Sequence, residues 1–330
     1  VVRFLIKNGA DIEGDIEWAK QHGETNVVRV LEKAEADAKT RKYGRTDTAS
    51  SPQPSNMTGN AANNSAVQTA AKPFDELSNI PAFNAAPREH DLAVVIGIEK
   101  YQDIKAKSDF SKSDAGIMKD YLKALGFKER NIQFLVDERA TRSGIEKSIE
   151  GWLPNRVKKD STVFVYYSGH GAPDPAKGDG YMVPYDGDPN YLEQTGYSLK
   201  RLTEHLAKLD AREVIVLLDS CFSGAGGRSV LAQGARPLVM NTENLALKDN
   251  IVMMTATRAA QISMSSPEKG HGLFTYHFLK ALQDGKKDMA DIYVYLKPLV
   301  EDDAKELNAE QSPGISSSPE KIRGRFVLVR

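Results

Sequence analysis

The 330-residue chain holds a single cysteine, Cys221. No internal disulfide can form, and no multi-cysteine zinc site can be built within one chain. An excess of charge is missing too: 44 Lys and Arg face 45 Asp and Glu, leaving a formal net charge of -1. That balance argues against duplex nucleic acid or an anionic membrane as the partner. No apolar run approaches the roughly 20 residues of a membrane-spanning helix. His-Glu-x-x-His and Gly-x-Ser-x-Gly are absent, which weakens a zinc-protease or serine-hydrolase reading. The chain starts at Val1 without an initiator methionine and reads as truncated. The expected compartment is the cytoplasm, with a secretory leader upstream left open.

Residues 1–42 read as helical. "VVRFLIKNGADIEG" is a short apolar helix followed by a turn, and "DIEWAKQHGETNVVRVLEKAEADAK" adds two helical pieces around Gly23. The first stretch resembles the second helix and finger turn of an ankyrin repeat. "DIEWAKQHGETNVVRVLEKA" resembles the closing repeat of such an array. The resemblance spans little more than one repeat, whereas these arrays need about three for stability. It implies a protein-binding arm; a plain helical hairpin is the alternative. Residues 43–87 are rich in Ser, Asn, Ala and Pro, and their stretch "TDTASSPQPSNMTGNAANNSAVQTAAKP" has almost no large apolar residue. They cannot bury enough surface to offset their ordering entropy, and are expected to be a flexible linker.

Residues 88–330 alternate between two periods. "LAVVIGI" (92–98), "NIQFLV" (131–136), "TVFVYY" (162–167), "VIVLL" (214–218) and "NIVMMTA" (250–256) are short apolar runs, expected as buried strands. Between them, "SDAGIMKDYLKALGF" spaces Ile117, Met118, Tyr121, Leu122 and Leu125 at helical intervals and stops at Gly126. "SGIEKSIEGWL", "SLKRLTEHLAKL", "GLFTYHFLKALQ" and "DMADIYVYLKPLVEDDAKEL" read as further helices, and "RFVLV" as a closing edge strand. The alternation predicts an α/β fold: a mostly parallel sheet of about six strands, covered by helices on both faces.

Ligands of open α/β sheets bind beyond the carboxyl ends of the strands. One such end runs into "SGHG" and places His170 there. Another runs into "DSCFSG" and places Cys221 in the same layer. A thiol and an imidazole suffice for covalent catalysis, the thiolate attacking and the imidazole handling protons. The backbone N–H groups of Gly171 and Cys221 are candidates to stabilise an oxyanion.

"FVYYSGHG", followed about 50 residues later by "VLLDSCFSG", resembles the caspase-like cysteine peptidases (family C14), most closely bacterial domains of the metacaspase and orthocaspase type. The resemblance covers residues 88–330 and implies a caspase-like three-layer fold. A large-subunit part would span about 88–227 and a small-subunit part about 250–330. It implies His170 as general base and acid and Cys221 as nucleophile.

Where caspases carry a glutamine two residues before the cysteine, this chain has Asp219. The metacaspase pattern adds Asp114 at the head of the first helix and Ser168 before the histidine. The three together imply a first specificity pocket (S1) for Arg or Lys at the P1 position of a peptide substrate, and exclusion of Asp. Asp114 as a helix cap and Asp219 as a loop hydrogen-bonder are the plainer alternatives. Arg228, in the Gly-rich stretch 223–249, is the candidate for self-cleavage. Many metacaspases need calcium, and Asp174, Asp179, Asp186 and Asp188 lie in the matching loop. Arg228 stands where an acid would follow the cysteine, so calcium-independence is expected, with no metal or other cofactor. The alternative to an active enzyme is a catalytically silent scaffold working through the ankyrin-like arm.

Overall fold

The structure is a computed structural model that describes residues 75–174, 179–222, 247–258 and 261–329. The ankyrin-like segment 1–42, residues 43–74 of the expected linker, and Arg228 lie outside the described residues.

In chain order the strands are β1 (Leu92–Gly97), β2 (Ile132–Val136), β3 (Thr162–Ser168), β4 (Gly171–Asp174), β5 (Asp179–Met182), β6 (Tyr197–Ser198), β7 (Glu213–Asp219), β8 (Ile251–Thr255), β9 (Ser265–Ser266), β10 (His271–Gly272) and β11 (Gly314–Ile315). The helices that matter below are α1 (Ser111–Ala124), α2 (Arg142–Glu146), α3 (Leu199–Leu206), α4 (Leu273–Gln283) and α5 (Met289–Glu306). Among the described residues six strands form the main sheet, in the order β11–β8–β7–β3–β1–β2. The five apolar runs pair in parallel, and β11 is antiparallel to β8.

Parallel strands need crossovers, and the crossovers cover both faces, so both parities of each strand must be apolar. On one face Ala93, Val95, Phe164, Tyr166, Ile215 and Leu217 pack with Met118 of α1 and Phe274 and Phe278 of α4. On the other, Val94, Ile96, Val163, Val165, Val214 and Val216 pack with Ile145 of α2 and Leu202 of α3. The result is the expected three-layer sandwich.

The seating of α1 is set by a glycine. A Cβ on Gly97 would lie 2.4 Å from both the Ser111 carbonyl and the Ala115 Cβ. The helix therefore rests directly on the end of β1, which brings its first turn, with Asp114, to the carboxyl edge of the sheet. The helix ends as the sequence predicts. Gly126 takes φ +95°, a left-handed conformation that suits glycine, and Phe127 N–H donates back to the Leu122 carbonyl at 3.0 Å.

Two expectations need correcting. "RFVLV" is no strand of the main sheet. Phe326 and Leu328 are buried, Phe326 has φ +52°, and the β-pairing of the segment among the described residues is an isolated bridge from Val327 to Asp288. The edge belongs instead to Gly314–Ile315, inside the Pro- and Ser-rich stretch 308–324. Ser316 extends that edge, exchanging bonds of 2.9 and 3.0 Å with the backbone of Met253.

The linker also ends earlier than residue 87. The described residues all belong to one unit, Ala70–Arg330, and Leu77 is fully buried. Burying one leucine stabilises by about 1.5–3 kcal/mol, one of several contacts that seat this short segment. Tyr121 Oη donates to the Leu77 carbonyl at 3.1 Å, and Gln283 Nε2 donates to the carbonyls of Glu76 and Asn79, each at 3.2 Å.

Candidate active site

The last paired residues of β3 and β7 are Ser168 and Asp219. Each strand then runs two residues further, to His170 and to Cys221, so the two motifs leave the sheet side by side. Gly171 shows how closely. A Cβ there would lie 2.4 Å from the Cys221 carbonyl oxygen, 2.7 Å from Phe222 Cδ1 and 2.8 Å from Ser220 Oγ. Only a residue without a side chain lets the chain after the histidine lie against the backbone of the cysteine.

His170 is buried and held from several sides. Its ring stacks on Tyr101, with centroids 4.8 Å apart. Its backbone N–H donates to Tyr101 Oη at 2.5 Å, and its carbonyl accepts from Tyr167 Oη at 2.6 Å and from Val183 N–H at 3.0 Å. Nε2 lies 3.0 Å from the carbonyl of Ala106, in the loop after β1. A carbonyl can only accept, so Nε2 carries the proton, and in a neutral ring the basic lone pair is then on Nδ1. The Cys221 thiol is buried as well and donates to the Gln261 carbonyl at 2.9 Å.

The residues expected to choose the substrate gather at the same end of the sheet. Ser168 and Asp219 share the strand parity of Tyr166 and Leu217, the face covered by α1 and α4. Asp219 Oδ1 accepts from Ser263 Oγ at 2.9 Å. Its Oδ2 accepts from Thr275 Oγ1 at 2.6 Å and from Thr275 N–H at 3.3 Å. Asp114 Oδ2 accepts from Gly272 N–H at 3.1 Å, and its Oδ1 lies 2.7 Å from His271 Nδ1. Gly272 is the N-cap of α4 and Thr275 lies in its first turn. The N-terminus of α4, with its backbone N–H groups not yet bonded within the helix, thus holds both buried carboxylates. Asp114 thus does not cap α1, whose N-cap is Phe110, and Asp219 is a hydrogen-bonder to the first turn of α4, in keeping with its plainer alternative.

His271 is the residue that sequence reasoning missed. Like His22, His90, His205 and His277 it stands in no catalytic motif, and the sequence alone predicts a surface or helix-packing role for it. Instead its buried side chain bridges two carboxylates, Asp114 through Nδ1 and Asp75 through Nε2 at 3.2 Å. Burial draws its pKa down, but the bonds to Asp114 and Asp75 outweigh this and hold it above the ordinary histidine value. The available signal was the His-Gly pair immediately before the apolar helix period of "LFTYHFLKAL". Of the others, His277 lies 2.7 Å from Asp303, and His90 is exposed beside Asp160; His22 is outside the described residues.

Two of the acids considered for calcium are engaged in loop structure. Asp186 Oδ1 accepts from Arg142 N–H at 2.8 Å, and Asp188 Oδ1 accepts from the N–H and side-chain amide of Asn190 at 2.8 and 2.9 Å. The side chains of Asp174 and Asp179 are outside the described residues. Among the described residues no three His, Cys, Asp or Glu side chains gather to hold a metal ion, and no helix is long and apolar enough to cross a membrane.

Comparison with known proteins agrees with this architecture. The family model for the caspase domain, Peptidase_C14, matches residues 90–322. A paracaspase of Dictyostelium discoideum is 25% identical over 202 residues, which cover 60% of this chain and 45% of that protein. The chain therefore spans less than half the length of this relative. The crystal structure of protein GSU0716 from Geobacter sulfurreducens superposes with a TM-score of 0.53 at 18% identity, covering 71% of this chain and 97% of that one. Caspase-1 from Spodoptera frugiperda gives a TM-score of 0.46 at 16% identity, over 75% and 92% of the two chains.

Proposed function

The chain belongs to the caspase-domain family of cysteine peptidases, and on that premise we propose that it is an active endopeptidase of the metacaspase or orthocaspase kind, cleaving after Arg or Lys. The observation that carries the reading is the close pass of Gly171 against the backbone of Cys221, which puts the histidine and cysteine motifs on adjacent strand ends.

In this mechanism the thiol proton of Cys221 passes to Nδ1 of His170, whose Nε2–H stays on the Ala106 carbonyl. The bond from the thiol to Gln261 has to break first, so substrate entry includes displacing the loop after β8. The thiolate attacks the scissile carbonyl, and the oxyanion forms beside the N–H groups of Gly171 and Cys221. Collapse expels the amine, which takes the proton from His170. Water, deprotonated by the same imidazole, then hydrolyses the thioester and restores the thiol.

The S1 role of Asp114, Ser168 and Asp219 is supported by their burial at one end of one sheet face. A P1 carboxylate brought there meets like charge in a desolvated setting, which costs several kcal/mol, roughly the penalty of a mispaired interface charge. A P1 guanidinium or ammonium meets opposite charge. Arg228 is the proposed site of self-cleavage, and the activity is proposed to be independent of calcium.

Positional-scanning peptides assayed with calcium and with a chelator, against Cys221→Ala as control, test the proposal. Turnover should follow Arg and Lys at P1, be indifferent to the chelator, and vanish in the variant. Wild-type protein alone should release fragments ending at Arg228. Cleavage after Asp only, or turnover that survives Cys221→Ala, would overturn the reading. Absence of both turnover and labelling of Cys221 by a thiol-reactive peptide would favour the silent scaffold.

A further inference from the structure

The carboxylate Asp114, read above as part of S1, is held by His271 and by the N–H of Gly272. Its partner His271 reaches, through the second ring nitrogen, to Asp75 in the segment that enters the domain. That segment lies along α4 like a strap. Leu77 is buried beneath it, and Asp75 Oδ1 also accepts from Leu77 N–H at 2.9 Å. Glu76 pairs with Lys280 and accepts from Tyr276 Oη at 2.8 Å. The His271 ring lies 6.4 Å from that of Tyr276, so one continuous set of contacts runs from the strap to the pocket. An imidazole facing a carboxylate at each nitrogen donates from both, because an ionised carboxylate can only accept. Such a doubly donating ring is fixed in orientation only while both acceptors are in place.

We propose that His271 is a positioning residue that makes recognition of a basic P1 side chain conditional on the seating of residues 75–79. This rests on the reading of Asp114 as part of the S1 pocket. With the strap seated, His271 is pinned at Nε2 and holds Asp114 at the pocket. With the strap lifted, His271 loses one anchor and holds Asp114 less rigidly, while the bonds of His170 and Cys221 to Tyr101, Tyr167, Ala106 and Gln261 are untouched. Whatever binds or pulls the chain ahead of Asp75 therefore acts on substrate binding before it acts on chemistry.

The test uses the whole chain and a fluorogenic Arg peptide. Asp75→Asn removes the outer charge at a half-exposed position, and Leu77→Ala loosens the strap with His271 intact. Each should raise KM about five- to tenfold. Their kcat should stay within about twofold of wild type, and iodoacetamide should alkylate Cys221 at the wild-type rate. His271→Gln should raise KM at least as much, and adding Asp75→Asn to it should bring no further rise. Wild-type KM in both strap variants overturns the inference, as does an equal rise in KM for peptides with a neutral P1 residue. If wild-type protein shows no preference for Arg or Lys, the S1 reading itself has failed and the inference falls with it. That outcome is visible before any variant is made.

Discussion

Gly171→Ala is the sharpest perturbation the structure offers. The added Cβ would sit 2.4 Å from the Cys221 carbonyl, whereas ordinary contact begins near 3.4 Å. The backbone must therefore give by about 1 Å (3.4 − 2.4), and no side-chain rotation can absorb it because the obstacle is main chain. The atom displaced belongs to the proposed nucleophile's own residue. A misplacement of about 1 Å lowers a rate by about 100-fold, and forcing a methyl into a packed region costs about 1–3 kcal/mol. For a domain of this size that is a fall in melting temperature of about 2–12 °C.

Gly169→Ala is a second probe. Its nearest obstacles are the hydroxyl groups of Tyr101 and Tyr167 at 2.8 Å, on buried side chains that hold the backbone of His170. It should therefore also lower kcat, through the histidine rather than the cysteine. The assay is kcat on an Arg peptide, normalised to titratable Cys221, alongside a thermal melt. Wild-type kcat in Gly171→Ala at an unchanged melting temperature would refute the contact between the two strand ends.

Three further outcomes follow from the same geometry. Thr275→Val deletes the 2.6 Å bond to the buried Asp219 carboxylate and should destabilise by about 1.5–3 kcal/mol in denaturant titrations, while raising KM for Arg peptides. Tyr101→Phe keeps a ring for His170 to stack on but removes the acceptor of its N–H; a stability loss of about 1–3 kcal/mol is expected, with kcat within about tenfold of wild type. His271 has its pKa raised above the ordinary 6.5, so its stabilising effect is complete below that value and fades as pH rises through the folded-state value. Asp114, Asp75 and Tyr276 face it, with Glu76 and Lys269 just beyond. The difference in melting temperature between wild type and His271→Gln should accordingly be larger at pH 6 than at pH 9.

Strand positions were readable because each parallel strand is buried on both faces and appears as an unbroken apolar run, as in "LAVVIGI" and "VIVLL". His170 and Cys221 were readable because each follows such a run directly. The edge was not. Gly314–Ile315 is two residues long, and its pairing comes from tertiary contact rather than from any local pattern. "RFVLV" carries strand-like composition, yet its apolar side chains fill a gap in the core. Asp114 and Asp219 were legible as carboxylates near the end of the sheet, but not their shared attachment to the N-terminus of α4, which depends on how α4 docks. His271 was opaque for the same reason: its two partners lie 157 and 196 residues away in sequence. The seating of residues 75–79 was hidden by the polar composition around a single buried leucine.

The order of the main sheet bears on what a broken chain would be. β7 and β8 are hydrogen-bonded neighbours over five register pairs, and Asp219 on one is bound to Thr275 beyond the other. A scission anywhere between them cuts the covalent tether but leaves the sheet and that bond in place. The nicked molecule would migrate as two bands under denaturing conditions and elute as one particle under native ones. Its unfolding would become a dissociation, so its midpoint would fall on dilution, whereas that of the intact chain would not.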